Sequence, residues 1–180
     1  MKKGIALIVL GVLLVVVDQI IKILVLKTIP LYESVPVIGE FFKLTYVQNE
    51  GMAFGLKVGG SGSLIGKFCL SLFRVALSVV LVCWISKLAK CPDTPQGVLV
   101  GLTLITAGAV GNIIDCFFYG LIWPELLMKA APFKIMFGKV VDMFSFSIFP
   151  PVFNFADSCV TVGAFYLILF QHKFFSAPRD

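Results

Sequence analysis

Charge is what this sequence has least of. Only 14% of its 180 residues are Asp, Glu, Lys or Arg, against 59% hydrophobic ones, and the mean hydropathy is +1.01. A soluble domain carries roughly 25% charged residues, so the solvent for most of this chain is lipid. Histidine is nearly missing: His172 stands alone near the C-terminal end. With no second imidazole to build on, no metal site is expected, and no other cofactor is expected either. The five cysteines, Cys69, Cys83, Cys91, Cys116 and Cys159, form no Cys-x-x-Cys pair and read as small buried hydrophobes. No basic run with interleaved aromatics is present, which leaves out nucleic acid as a partner. The net charge of +5 sits mostly at segment ends and in short loops, where it anchors a chain to membrane lipids.

What is there is a set of long apolar runs. Four spans are expected, at about 4–26, 64–88, 96–119 and 154–170, each near the length that crosses a bilayer as a helix. The first is too long for a cleavable signal peptide, lacks a small-x-small cleavage site and carries Asp18 and Lys22. The outer segments are then 27–63 and 120–153, and residues 1–180 read as one integral membrane domain. In the first outer segment, Phe41 to Val47 is β-prone, and short strands are expected there. Leu121 to Met136 is broken by Pro124 and Pro132, too interrupted to span, and is expected to lie at the interface. Gly97 with Gly101, and Gly108 with Gly111, let a neighbouring helix approach the third span closely. Basic residues are denser in the short loops on the side of the termini, so both termini are expected in the cytoplasm.

Against this background four carboxylates are out of place: Asp18, Asp115, Asp142 and Asp157. A charge at membrane depth costs about 2.5–3.5 kcal/mol even on lenient scales. Two of them close the same phrase, Asn112-Ile-Ile-Asp115 and Asn154-Phe-Ala-Asp157. In the expected topology Asp18, Asn49 and both Asn-x-x-Asp phrases come to one end of the spans. Two neighbouring carboxylates cannot both ionise cheaply, so they share a proton. The ionised member can then take a proton from water while the other donates to a carbonyl oxygen, which is metal-free hydrolysis of an amide. Asp157, in the first turn of a helix, is favoured in its charged form by the helix dipole, which makes Asp142 the proton holder.

Each residue also has a purely structural reading. Asp18 and Lys22, four apart, can pair on one helix face. Asn154 can cap the fourth helix. Asp115 can pair with a lysine, and Asp142 can be a loop acid. Arg74 can snorkel or pair with an acid. A different functional class is a proton-coupled transporter with carboxylates at its outer rim. No inverted repeat supports it, and the Gly-x-Gly-Asp phrase of presenilin-type proteases is absent too.

Five phrases in order carry a resemblance. They are Asp18-Gln19-Ile20-Ile21-Lys22, Asn49-Glu50-Gly51-Met52-Ala53-Phe54-Gly55, Gly108 to Asp115, Val140-Val141-Asp142-Met143, and Phe153-Asn154-Phe155-Ala156-Asp157-Ser158. Together they resemble the signature blocks of bacterial lipoprotein signal peptidase, signal peptidase II. The resemblance implies a four-helix membrane aspartic endopeptidase of the bacterial inner membrane with a small outer β-sheet cradle. It further implies prolipoprotein substrates, cut just before a diacylglyceryl-modified cysteine, and an active site near the outer leaflet. Its catalytic pair falls on Asp142 and Asp157. Asp18, Asn49, Gly51, Asn112, Asp115, Asn154 and Ala156 match positions that support the site or its substrate, and Lys22 joins them as the partner of Asp18. A monomer is expected. Two departures stand out: Cys116 follows the third-span phrase where the family usually has arginine, and the stretch from Leu121 to Phe137 is extra.

Overall fold

The computed structural model describes residues 2–50, 52–53, 56–57 and 63–176. Helix α1, Lys2–Thr28, is followed by strands β1, Ser34–Ile38, and β2, Phe42–Asn49. Two short strands, β3 Met52–Ala53 and β4 Leu56–Lys57, pair antiparallel with each other. Helix α2 covers Leu64–Leu88 and α3 covers Gln96–Ile114. A π-helical turn at Asp115–Tyr119 carries α3 into a last α-turn, α4, at Gly120–Ile122. Strands β5, Val140–Phe146, and β6, Phe149–Phe153, then lead into α5, Phe155–Phe170, and the short α6, His172–Ser176. Among the described residues three helical stretches are long and apolar enough to cross a membrane, and α5 is a shorter apolar helix.

The helix boundaries follow from local chemistry. Ser63 caps α2 by accepting from the Gly66 amide at 3.1 Å. The third stretch runs to Ile122 rather than Tyr119 because nothing stops it before Pro124, whose ring forces extended backbone on Trp123. The π-turn adds one residue within that run, as such turns often do at functional sites. Helix α3 lies at the centre, buried along much of its length, between α1, α2 and α5. Its glycines make this possible, as their spacing predicts. A side chain at Gly108 would collide with the Ala156 carbonyl, and one at Gly101 with Leu167.

One antiparallel sheet, in the order β1-β2-β5-β6, covers one end of the helices. Only its first half was expected. The run Val140-Val141-Asp142-Met143-Phe144 is β-branched and aromatic, yet the second outer segment carried no strand in the sequence reading. Pro150 and Pro151 are tolerated because β6 is an edge strand. Beneath the sheet, Val25, Tyr46, Tyr119, Leu126, Val141 and Met143 form a buried cluster. It fixes the extra segment as well. Residues 123–139 contain a single 3-10 turn, Pro124–Leu126, and fold back with Leu126, Met128 and Phe137 buried. Gly138 seals the fold-back. Its amide donates to the Cys116 carbonyl at 3.0 Å, and any side chain there would strike the Asp115 carbonyl.

Candidate active site

The sheet end of the helices is where the scarce polar side chains meet. Lys22, on α1, is 0% exposed. Its ammonium contacts Asp18 Oδ2 at 2.9 Å, Asp115 Oδ2 at 2.8 Å and Asn112 Oδ1 at 3.0 Å. The i,i+4 pairing of Asp18 with Lys22 is therefore present, but it is half of a larger arrangement. Asp18 also accepts from the Ala156 amide at 2.9 Å, which ties α1 to the first turn of α5. Asp115 accepts from the Val141 amide at 3.2 Å, which ties the π-turn to β5. Two carboxylates around one ammonium, each bonded to backbone of another element, set the position of the residues beside Ala156 and Val141.

Those neighbours are Asp157 and Asp142. Asn154 precedes α5 and forms a reciprocal capping box with Asp157. The Asp157 amide donates to Asn154 Oδ1 at 2.9 Å, and the Asn154 amide to Asp157 Oδ2 at 3.5 Å. Asn154 is itself 0% exposed. Its Nδ2 donates to Asp142 Oδ1 at 2.7 Å and to Asn112 Oδ1 at 3.1 Å. Asn112 Nδ2 donates to Asp157 Oδ1 at 2.8 Å. Asn49, at the end of β2, donates to Asp142 Oδ2 at 3.0 Å. Asp142 faces Val47 across the β2–β5 pairing, just past a register irregularity at Leu44/Val47 that bends the strand there.

Asp142 is only 2% exposed. Burial first, and the charge of Asp157 second, push its carboxyl from 3.8 up to about 7, while the hydrogen bonds from Asn49 and Asn154 act the other way. Asp157 is only half-buried. The two acids therefore differ in environment, which is what an acid–base pair needs. Two asparagines bridge them, and each donates an amide proton to a carboxylate oxygen.

The structure brings together Asp18, Lys22, Asn49, Asn112, Asp115, Asp142, Asn154, Ala156 and Asp157. Gly51 lies outside the described residues. The sequence reading passed over Gln19. Its neighbours are acids: Gln19 Nε2 donates to Asp18 Oδ2 and Asp115 Oδ1, both at 3.1 Å, and Tyr119 donates to Gln19 Oε1 at 3.1 Å. The signal was available, since Gln19 sits between Asp18 and Lys22 in an otherwise apolar helix. Arg74 contacts a cysteine rather than an acid. It donates to Cys116 Sγ at 3.6 Å and forms no ion pair with a carboxylate among the described residues. No cluster of metal ligands is found among the described residues.

Apolar helices, a small sheet at one end and a pair of amide-bridged carboxylates beneath it define a membrane protein with a candidate hydrolytic site. Comparison with known proteins gives the family. The chain matches signal peptidase (SPase) II over residues 10–173. The lipoprotein signal peptidase of Porphyromonas gingivalis is 37% identical, covering 88% of this chain and 79% of that protein. That of Desulforapulum autotrophicum is 34% identical over 93% and 91%. A bacterial membrane enzyme solved by the in meso method at 2.3 Å resolution superposes with a TM-score of 0.68 at 27% identity, covering 97% of this chain and 92% of that one. The chain belongs to the signal peptidase II family and is a multi-pass bacterial membrane protease. The transporter reading is set aside.

Proposed function

We propose that this protease removes the signal peptide from prolipoproteins by cutting just before a diacylglyceryl-modified cysteine, with Asp142 and Asp157 as its catalytic pair. The observation that carries the assignment is the contrast between the two acids. Asp142 is buried and pushed up to about 7, and Asp157 sits half-buried at a helix start, with Asn112 and Asn154 bridging them. Near neutral pH the pair then holds one proton.

The geometry supports a direct hydrolysis. Asp157, charged at the N-terminal end of α5, takes a proton from a water as that water's oxygen bonds to the scissile carbonyl carbon. Asp142 gives its proton to the carbonyl oxygen. The tetrahedral species then collapses: the carbon–nitrogen bond breaks, the amine leaves with the proton from Asp157, and Asp142 recovers its own. Asn49, Asn112 and Asn154 keep the carboxylates oriented throughout. Asp18, Lys22, Asp115 and the Ala156 amide hold α1, α3, β5 and α5 in register, and Gly51 is counted with them as a residue that supports the site or its substrate.

The same reading places residues 1–180 in one membrane domain that works as a monomer. Both termini face the cytoplasm, and the sheet end lies at the outer leaflet of the inner membrane. A lipid-anchored cysteine keeps its acyl chains in that leaflet, so the bond to be cut arrives at the depth of the pair, and membrane lipids are the medium of encounter. The test is a reconstituted assay with lipidated and unlipidated precursor. Only the lipidated one is cut, and addition of a chelator leaves the rate unchanged. Equal cleavage of both would overturn the substrate assignment.

A further inference from the structure

The first half of helix α2 carries two cations, Lys67 and Arg74, with no ion-pair partner among the described residues. Lys67, in its first turn, is 1% exposed, and its ammonium nitrogen is sealed from solvent with no hydrogen-bond partner of normal geometry. Arg74, seven residues on and on the same helix face, carries a guanidinium. Neither belongs to an ion pair among the described residues. Ser71, between them, spends its hydroxyl on the Met136 carbonyl at 3.0 Å. A buried charge left without a counter-charge costs several kcal/mol.

Both cations face one group. Arg74 Nη1 lies 3.6 Å from Cys116 Sγ. Cys116 and Arg74 are both close enough to Lys67 to act on its charge. Cys116 is 0% exposed. The remaining carboxylate nearby, Asp115, shares Lys22 with Asp18, so that cluster offers one negative charge in excess against two cations, and one more anion is needed. We propose that Cys116 is a resident thiolate, the built-in counter-ion of Lys67 and Arg74, with the thiol proton held on the Lys67 amine. The pair of cations then has its anion without any ligand from outside. It also accounts for the departure at this position. An arginine after Asp115 would set a third cation against two others, whereas cysteine can supply the missing negative charge. The cluster locks α2 to the π-turn, and the Cys116 carbonyl in turn holds the Gly138 amide at the start of the segment leading to β5. Cys116 is thus a positioning residue.

The charge state is read directly from the infrared S–H stretching band of the full chain in detergent, which has five cysteines. A thiolate has no S–H bond. Cys116→Ala is therefore expected to leave the band unchanged, and Lys67→Met with Arg74→Met to add a fifth contribution. Loss of one of five contributions on Cys116→Ala would overturn the proposal. If that variant does not fold, the unaltered chain suffices: its band grows by one contribution when it is unfolded in acid, and no growth would equally overturn it.

Discussion

Asn154 donates its side-chain amide to Asp142 Oδ1 at 2.7 Å while its own oxygen caps the Asp157 amide at 2.9 Å. One side chain thus fixes the start of α5 and the orientation of the acid on β5. The two roles separate by substitution. Asn154→Ala loses the cap, worth about 1 kcal/mol, together with the bond to Asp142. Asn154→Ser keeps a capping hydroxyl but is too short to bridge. We expect Ser to restore the thermal stability lost in Ala while cleavage stays about 10- to 100-fold down in both, the scale of loss typical of one supporting polar contact. Recovery of activity in Ser would show that capping alone matters.

Asp142→Asn and Asp157→Asn are each expected to abolish cleavage of a lipidated precursor while the protein still accumulates in the membrane. Immunoblots of membrane fractions beside the cleavage assay check both halves. Normal processing by either variant removes that residue from the pair.

The same acid sets a pH dependence with a definite sign. The folded carboxyl of Asp142 is raised from 3.8 to about 7, so the native state holds this proton more tightly than the unfolded chain. Its contribution favours folding at low pH and is lost as pH rises from about 4 through about 7. Cleavage needs that proton and is expected to decline over the upper part of the same window. Melting curves in detergent from about pH 5 to about pH 8 should fall for the unaltered chain and flatten for Asp142→Asn, since linkage requires a titrating group. An unflattened curve would assign the slope to another residue.

How much of this could be read in the sequence depends on what each residue answers to. The helices follow from runs of apolar residues, and the close contact of α3 with α5 follows from Gly101 and Gly108, because both are local patterns. Asp18 and Lys22 announce their pairing by spacing. Asp142 is different. Its place beside Asn49 and Asn154 depends on β5 pairing with β2 across about ninety residues, a non-local event that no window of sequence contains. Lys67 is hidden for a similar reason. It looks like one more interfacial lysine near a helix start, and the fold shows it buried, close to Cys116 and Arg74.

Lys22 is the single cation between Asp18 and Asp115, at 2.9 and 2.8 Å. Replacing it with methionine removes the charge and keeps most of the volume, leaving two buried carboxylates facing each other. Breaking a buried pair in this way costs about 3–5 kcal/mol, a large part of the stability of a chain this size. Lys22→Met is therefore expected to accumulate poorly. Adding Asp18→Asn and Asp115→Asn removes the stranded charges, and membrane levels should recover. Activity is not expected to recover with them, because the charged contacts that tie Asp18 to the Ala156 amide and Asp115 to the Val141 amide are weakened. Quantifying protein level and cleavage separately in the single and triple variants tests the arrangement. A triple variant as poorly accumulated as the single would mean that Lys22 stabilises the fold through packing rather than through charge.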